Sequence, residues 1–330
     1  MGVLIPIPIA FFEKGGGQAM KRTLLIILVA LVGIGLFAYP IISDYLFSLK
    51  TETAVQEYNE TINQTAEDEI ERIWQEAVFY NENLEGNPVH DPFLENSGMA
   101  LPENYKRVLD FNATGSMGYI TIPKIDVKLS IFHGTSDKVL QEGVGHMEGS
   151  SLPVGGIGSH CVLTGHTGEA HAKLFTDIRN LKSGDMFYLH ILDRTLAYQV
   201  DQIKVVLPGD TSDLRRNTDN DYCTLITCTP YGVNSHRLLV RGVRAEYIPE
   251  MEAEQASDGP AVFKWFQEWN IMIGLAVGLV ILIIVLIPVI VRRRKKDQKN
   301  EVERRLTAWE ESIRHMENGQ SAQEKDGDGL

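Results

Sequence analysis

Two uncharged apolar runs frame the chain, one from Leu24 to Ile42 and one from Ile271 to Val291. At ~1.5 Å per residue each reaches across a ~30 Å hydrocarbon layer, and each is apolar on every face, so both are predicted to be membrane-spanning helices. After the first run, Val55, Tyr58, Ile62, Ala66, Ile70, Ile73 and Ala77 recur at three- and four-residue steps among Glu, Asn and Gln. That stripe predicts one juxtamembrane helix from Asp44 to Tyr80. Glu85-Gly86-Asn87-Pro88 stops it, and the stretch through Pro92, Gly98 and Pro102 reads as loop. From Gly118 the texture changes to short β runs: Gly118 to Ile122, Lys128 to Phe132, His160 to Thr164, Met186 to Ile191, Leu196 to Val206, Cys223 to Cys228 and Arg237 to Val243. Strands so short and close predict a mainly β domain closed, or nearly closed, into a barrel, with one short helix over Ala172 to Asn180. Glu250 to Gly259 is polar and acidic and reads as a linker to the second run, and Glu301 to Glu317 as a helix in a charged tail.

Charge then orients the chain. Lys21 and Arg22 precede the first run and Arg292, Arg293, Arg294, Lys295 and Lys296 follow the second, so the positive-inside rule places both termini in the cytoplasm and the middle outside the cell membrane. Residues 43–269 carry 18 Lys and Arg against 34 Asp and Glu, a net −16 within a whole-chain net charge of −13. An acidic exported segment offers no basic face to phosphates, which excludes a nucleic-acid partner. A cleaved signal sequence shares the Lys-Arg start, but Tyr39-Pro40-Ile41-Ile42 offers no small-residue cleavage site, so the first helix is expected to be retained. Glu13-Lys14-Gly15-Gly16 is encodable by a purine run containing a ribosome-binding sequence just ahead of Met20, and residues 1–19 are therefore read as a mis-assigned start.

The three cysteines, Cys161, Cys223 and Cys228, all fall in the exported segment, and an odd number leaves at least one thiol unpaired. Cys228 ends a β run at a proline, where a side chain is held rigidly and still faces outward. A thiol needs a base or a positive neighbour to populate thiolate near neutral pH, and two such groups close other β runs: His166 in Leu163-Thr164-Gly165-His166 and Arg237 in Ser235-His236-Arg237. Taken singly, each of the three is more often a structural or solvated residue than a catalytic one. His160, Cys161, His166 and His171 lack the ligand spacing of a zinc site, so no metal and no cofactor is expected.

Taken together, Thr224-Leu225-Ile226-Thr227-Cys228-Thr229-Pro230, the later Arg237 and the upstream Thr164-Gly165-His166 resemble the signature of sortases over about Gly118 to Val243. The resemblance implies an eight-stranded sortase β barrel in which His166, Cys228 and Arg237 converge. It implies that Cys228 attacks the Thr–Gly bond of an LPxTG-type sorting signal, that His166 protonates the leaving amine, and that Arg237 holds substrate and oxyanion before an amine resolves the acyl-enzyme. The second apolar run and Asp91-Pro92-Phe93 resemble the class C, pilin-polymerising sortases, which implies a lid with Asp91 paired to Arg237 and Phe93 over Cys228. The partners implied are pilin subunits that carry sorting signals and an acceptor lysine, with membrane lipid around two helices. Thr167 departs from the pattern, since relatives of this class commonly carry Arg after the histidine. In the family's barrel the His and Cys strands run parallel, so the equal five-residue offsets of Cys161 and Cys223 imply that these two lie side by side on the face opposite the groove, as a disulfide or as two buried thiols.

A papain-like peptidase would place its Cys before its His, the reverse of this order. The other readings are a sortase that attaches proteins to the cell wall and a non-catalytic pilus-base protein. The expected organisation is residues 1–19 as extension, 20–43 as the first span, 44–100 as helix and lid, 101–249 as catalytic domain, 250–270 as linker, 271–291 as the second span and 292–330 as cytoplasmic tail.

Overall fold

The computed structural model describes residues 15–84, 93, 104–111, 115–169, 171–257, 294–312 and isolated positions between 274 and 314. Helix α1 (Gly15–Gln64) runs unbroken through Pro40, and its segment from Leu31 onward is long and apolar enough to cross a membrane. Leu25, Leu28, Leu31, Val32, Leu36, Tyr39 and Ile42 are all exposed, so this stretch has an apolar surface with no protein covering it. The span and the juxtamembrane helix are thus one element. The stripe is buried as its spacing demands, but on two helices, since the chain breaks at Thr65 and Ala66 before α2 (Glu67–Glu82). Two local features account for the break. The Thr65 hydroxyl donates back to the Thr61 carbonyl (2.8 Å), and Glu67, Asp68 and Glu69 favour a fresh helix N-terminus through the macrodipole. Ala66 is exposed at the joint, while Val55, Tyr58 and Ile62 on α1 and Ile70, Trp74, Ala77 and Tyr80 on α2 are buried.

The helices lie on a closed barrel of β1 (Ser116–Ile122), β2 (Val127–His133), β3 (Val144–His146), β4 (His160–Thr164), β5 (Met186–Ile191), β6 (Arg194–Val206), β7 (Tyr222–Thr229) and β8 (His236–Ala245), in the order β1-β2-β3-β4-β7-β8-β6-β5. Seven strands follow the predicted runs closely. β3, three residues of Val-Gly-His just after the short helix α3 (Asp137–Glu142), was not among them, because so short a run has no alternation to detect. Pairings are antiparallel except β2–β3 and β4–β7. Alternate residues fill the interior: Ile120, Ile131, Cys161, Leu163, Phe187, Leu189, Tyr198, Cys223, Leu225 and Val240 form one core with the α1 and α2 stripe. Polar contacts fix the helices to it. The Tyr58 hydroxyl donates to the Met117 carbonyl (3.2 Å) and accepts from the Leu192 amide (2.8 Å), and the buried Asn81 amide exchanges two bonds with the Leu152 backbone (3.1 and 2.7 Å). Ala172–Asn180, expected as a short helix, holds instead a 3₁₀ turn over Thr176–Asn180.

The expected linker at Glu250 to Gly259 is in part structured: α4 (Pro249–Ser257) docks on the barrel. Glu252 Oε1 accepts from the Thr121 hydroxyl (2.7 Å) and lies 3.1 Å from His190 Nε2, and Oε2 accepts from the Tyr247 hydroxyl (3.0 Å). The unit that holds the barrel therefore extends past residue 249. A second unit, residues 265–330, is helical at 294–312, in line with a helical tail that starts earlier than Glu301; most of the second apolar run, 271–291, lies outside the described residues.

Burial works against the Glu252 carboxylate, but the hydrogen bonds from His190 and Thr121 outweigh it and hold the group below the usual carboxylate range. A depressed folded pKa contributes stability above the unfolded value and loses it as pH falls through the folded one. Glu252→Gln is accordingly expected to lower the unfolding temperature at pH 7 and to approach the parent as pH falls through the folded-state pKa, as followed by thermal denaturation across pH; melting equal to the parent throughout would show that the contact does not hold α4.

Candidate active site

Three strand ends build the site. β4 and β7 run parallel in the register His160↔Tyr222 to Thr164↔Ile226. The pairing continues past the strand, since the Gly165 amide donates to the Ile226 carbonyl (3.1 Å) and the Thr227 hydroxyl to the Gly165 carbonyl (2.7 Å). Two residues further on, this register brings His166 level with Cys228. The antiparallel β7–β8 pair sets Cys228 directly opposite Arg237. Gly165 is required here by packing: a Cβ on it would sit 2.7 Å from the Phe175 ring. The Phe175 amide also donates to the His166 carbonyl (3.0 Å), fixing the histidine backbone from the other side.

Alternation sorts the strand residues into two faces. Cys161, Leu163, Cys223 and Leu225 point into the core, whereas Val162, Ile226, Leu239 and Val206 form a separate apolar cluster with Met147 and Leu214 on the face that Cys228 and Arg237 share. Phe93 packs on this second cluster. Its ring centroid is 5.8 Å from that of His166, and the Arg237 guanidinium carbon stands 4.9 Å over its face. One aromatic ring thus touches two of the three candidate residues. Arg237, 6% exposed, donates from Nη1 to the Asn234 and His236 carbonyls (3.2 Å each), while Cys228 is half-buried. Asp91, the other expected lid residue, lies outside the described residues.

The remaining candidates fall elsewhere. Cys161 and Cys223 are direct register partners, buried as free thiols on the inward face, away from Cys228. His160 lies against the Arg215 carbonyl (2.9 Å) and the Thr224 hydroxyl (2.7 Å), and His171 against the Gln141 carbonyl (3.2 Å). The sequence reading missed Thr227 and Phe175 as the groups that hold the histidine loop. For Thr227 the signal was its place beside Cys228, while Phe175 had none.

Comparison with known proteins bears on the fold that carries these residues. The sortase domain family matches residues 120–245. The chain is 32% identical to Bacillus anthracis sortase A over 126 residues, and it spans little over half the length of the curated sortase A relatives, 58% of that protein and 54% of the one from Listeria monocytogenes. Among solved structures, Streptococcus pneumoniae sortase C is 43% identical with a TM-score of 0.55, over 59% of this chain and 97% of that one. Sortase C-1 of Actinomyces oris is 48% identical with a TM-score of 0.52, over 55% and 99%. The chain belongs to the sortase family. Within it, the likeness to sortase C structures places the chain in class C, and the sortase match covers the barrel but neither apolar run.

In this sortase the Phe93 ring covers the face that carries Cys228. Phe93→Ala is expected to raise severalfold the rate at which an alkylating reagent modifies the protein, with peptide mapping placing the label on Cys228 because Cys161 and Cys223 are buried. An unchanged rate would show that the ring does not limit access.

Proposed function

We propose that this sortase is a membrane-anchored cysteine transpeptidase of the pilus-building kind, acting on the outer face of the cell. The observation that carries the reading is the convergence of His166, Cys228 and Arg237 from three adjacent strand ends, with one aromatic ring against His166 and Arg237. The Cys228 thiolate attacks the carbonyl carbon of the sorting signal's threonine, and Arg237 stabilises the negative charge that develops on the carbonyl oxygen. The Thr–Gly C–N bond then breaks as His166 gives a proton to the departing glycine amine. A thioester on Cys228 remains. A lysine amine of a pilin subunit attacks it, losing its proton to His166, and the thiolate leaves. One peptide bond is exchanged for one isopeptide bond without an external energy source.

Pilin as the substrate class finds support in the sortase C neighbours, one of which concerns pilin substrate specificity by its own description. The anchor is supported by the exposed apolar stretch of α1. Asp91, two residues before Phe93, is assigned to pair with Arg237 in the closed state, so that substrate must displace both from the groove.

The test is ligation by the full chain in detergent of two purified pilin subunits, with the cross-linked peptide read by mass spectrometry. Cys228→Ala is expected to abolish the product, and His166→Ala or Arg237→Ala to lower its rate by about 10²- to 10⁴-fold. A ligated product from Cys228→Ala would end the thioester mechanism. A product joined only to a wall-peptide amine would assign the enzyme to cell-wall attachment instead.

A further inference from the structure

Thr164 is completely buried, and its hydroxyl has no hydrogen-bond partner among the described residues. A buried hydroxyl without a partner is destabilising, so a folded protein rarely keeps one unless its partner arrives later. Its place identifies the partner. Thr164 pairs with Ile226 on β7 and so shares the face of Ile226, Val162 and Cys228, two residues before His166 on one strand and opposite a residue two before Cys228 on the other. Across on β3 it faces Gly145, which has no side chain to meet it. At roughly 3.3 Å per residue the hydroxyl stands about 7 Å along the groove from the nucleophile, two residues of an extended peptide.

We propose that Thr164 is a positioning residue for the sorting signal, its hydroxyl donating to a main-chain carbonyl at the Leu-Pro end of the motif. That end is chosen by the surroundings. Ile226, Leu239, Val206 and Val162 make an apolar floor suited to leucine and proline side chains, and a prolyl residue offers the groove a carbonyl but no N–H. The inference rests on the transpeptidase reading and adds to it a residue that reads the peptide without touching the reacting atoms.

The experiment uses the full chain in detergent with a fluorogenic Leu-Pro-Glu-Thr-Gly peptide, and compares the parent with Thr164→Val and Thr164→Ser. Valine keeps the shape and removes the hydroxyl. Thr164→Val is expected to raise KM about tenfold with kcat nearly unchanged, and Thr164→Ser to stay near the parent. The same Thr164→Val protein should melt no lower than the parent, because the hydroxyl it loses satisfied nothing in the resting state. Parent-like KM in Thr164→Val, or a clear fall in its melting temperature, would overturn the proposal while leaving the transpeptidase reading intact. No cleavage by the parent, where alkylation still shows Cys228 accessible, would sink that reading and this inference together.

Discussion

The parallel pairing of β4 with β7 is the constraint on which the rest of the site depends. It joins residues sixty-two positions apart in sequence, as in the bond from Thr227 to Gly165, and is one of only two parallel pairs in the barrel. A slip of one residue would turn Cys228 inward and Cys223 outward, exchanging a groove thiol for a core one. Two things hold the register. Inside the barrel, Cys161 meets Cys223 and Leu163 meets Leu225, filling the interior where a shifted strand would bring in the polar Thr224; beyond the strand, the Gly165 backbone continues the ladder. The small thiol pair is therefore better understood as packing than as chemistry, and Cys228 is the half-buried thiol on the other face.

The barrel is fixed to its flanking segments by buried polar contacts in addition to greasy ones. Tyr58 and Asn81 satisfy main-chain groups of the barrel from the helices, and Glu252 gathers Thr121, His190 and Tyr247 around α4. Such bonds are directional, and losing either partner leaves the other buried and unsatisfied. The groove is thus held at a set position relative to α1, whose apolar portion is exposed on the same continuous helix.

Phe93 combines two roles that a single polar residue could not. Its ring covers the apolar cluster formed by Val162, Ile226 and Leu239, while its face receives the Arg237 guanidinium. The arrangement keeps an arginine ordered within a nearly dry site.

Much of this was legible in the residues themselves. Apolar runs, helical stripe and alternating strands are local signals, set by which side chains can face lipid, core or water, and seven strands emerged from them with ends close to those observed. The motif around Cys228, with the upstream His166 and the later Arg237, resembled the sortase signature, and the family match over residues 120–245 bears out that resemblance. What only the tertiary structure decided depends on contacts between distant segments. The three-residue β3 exists because it is wedged between β2 and β4, and α4 because Glu252 finds partners on β1 and β5. The partition of one continuous stripe into α1 and α2 turns on a single extended residue at Ala66, and the lone hydroxyl of Thr164 is apparent only once its neighbours are known to be Ile226 and Gly145. Periodicity reports which face of an element is buried; it carries no information about which element buries it, because that is settled by the free energy of the whole packed chain.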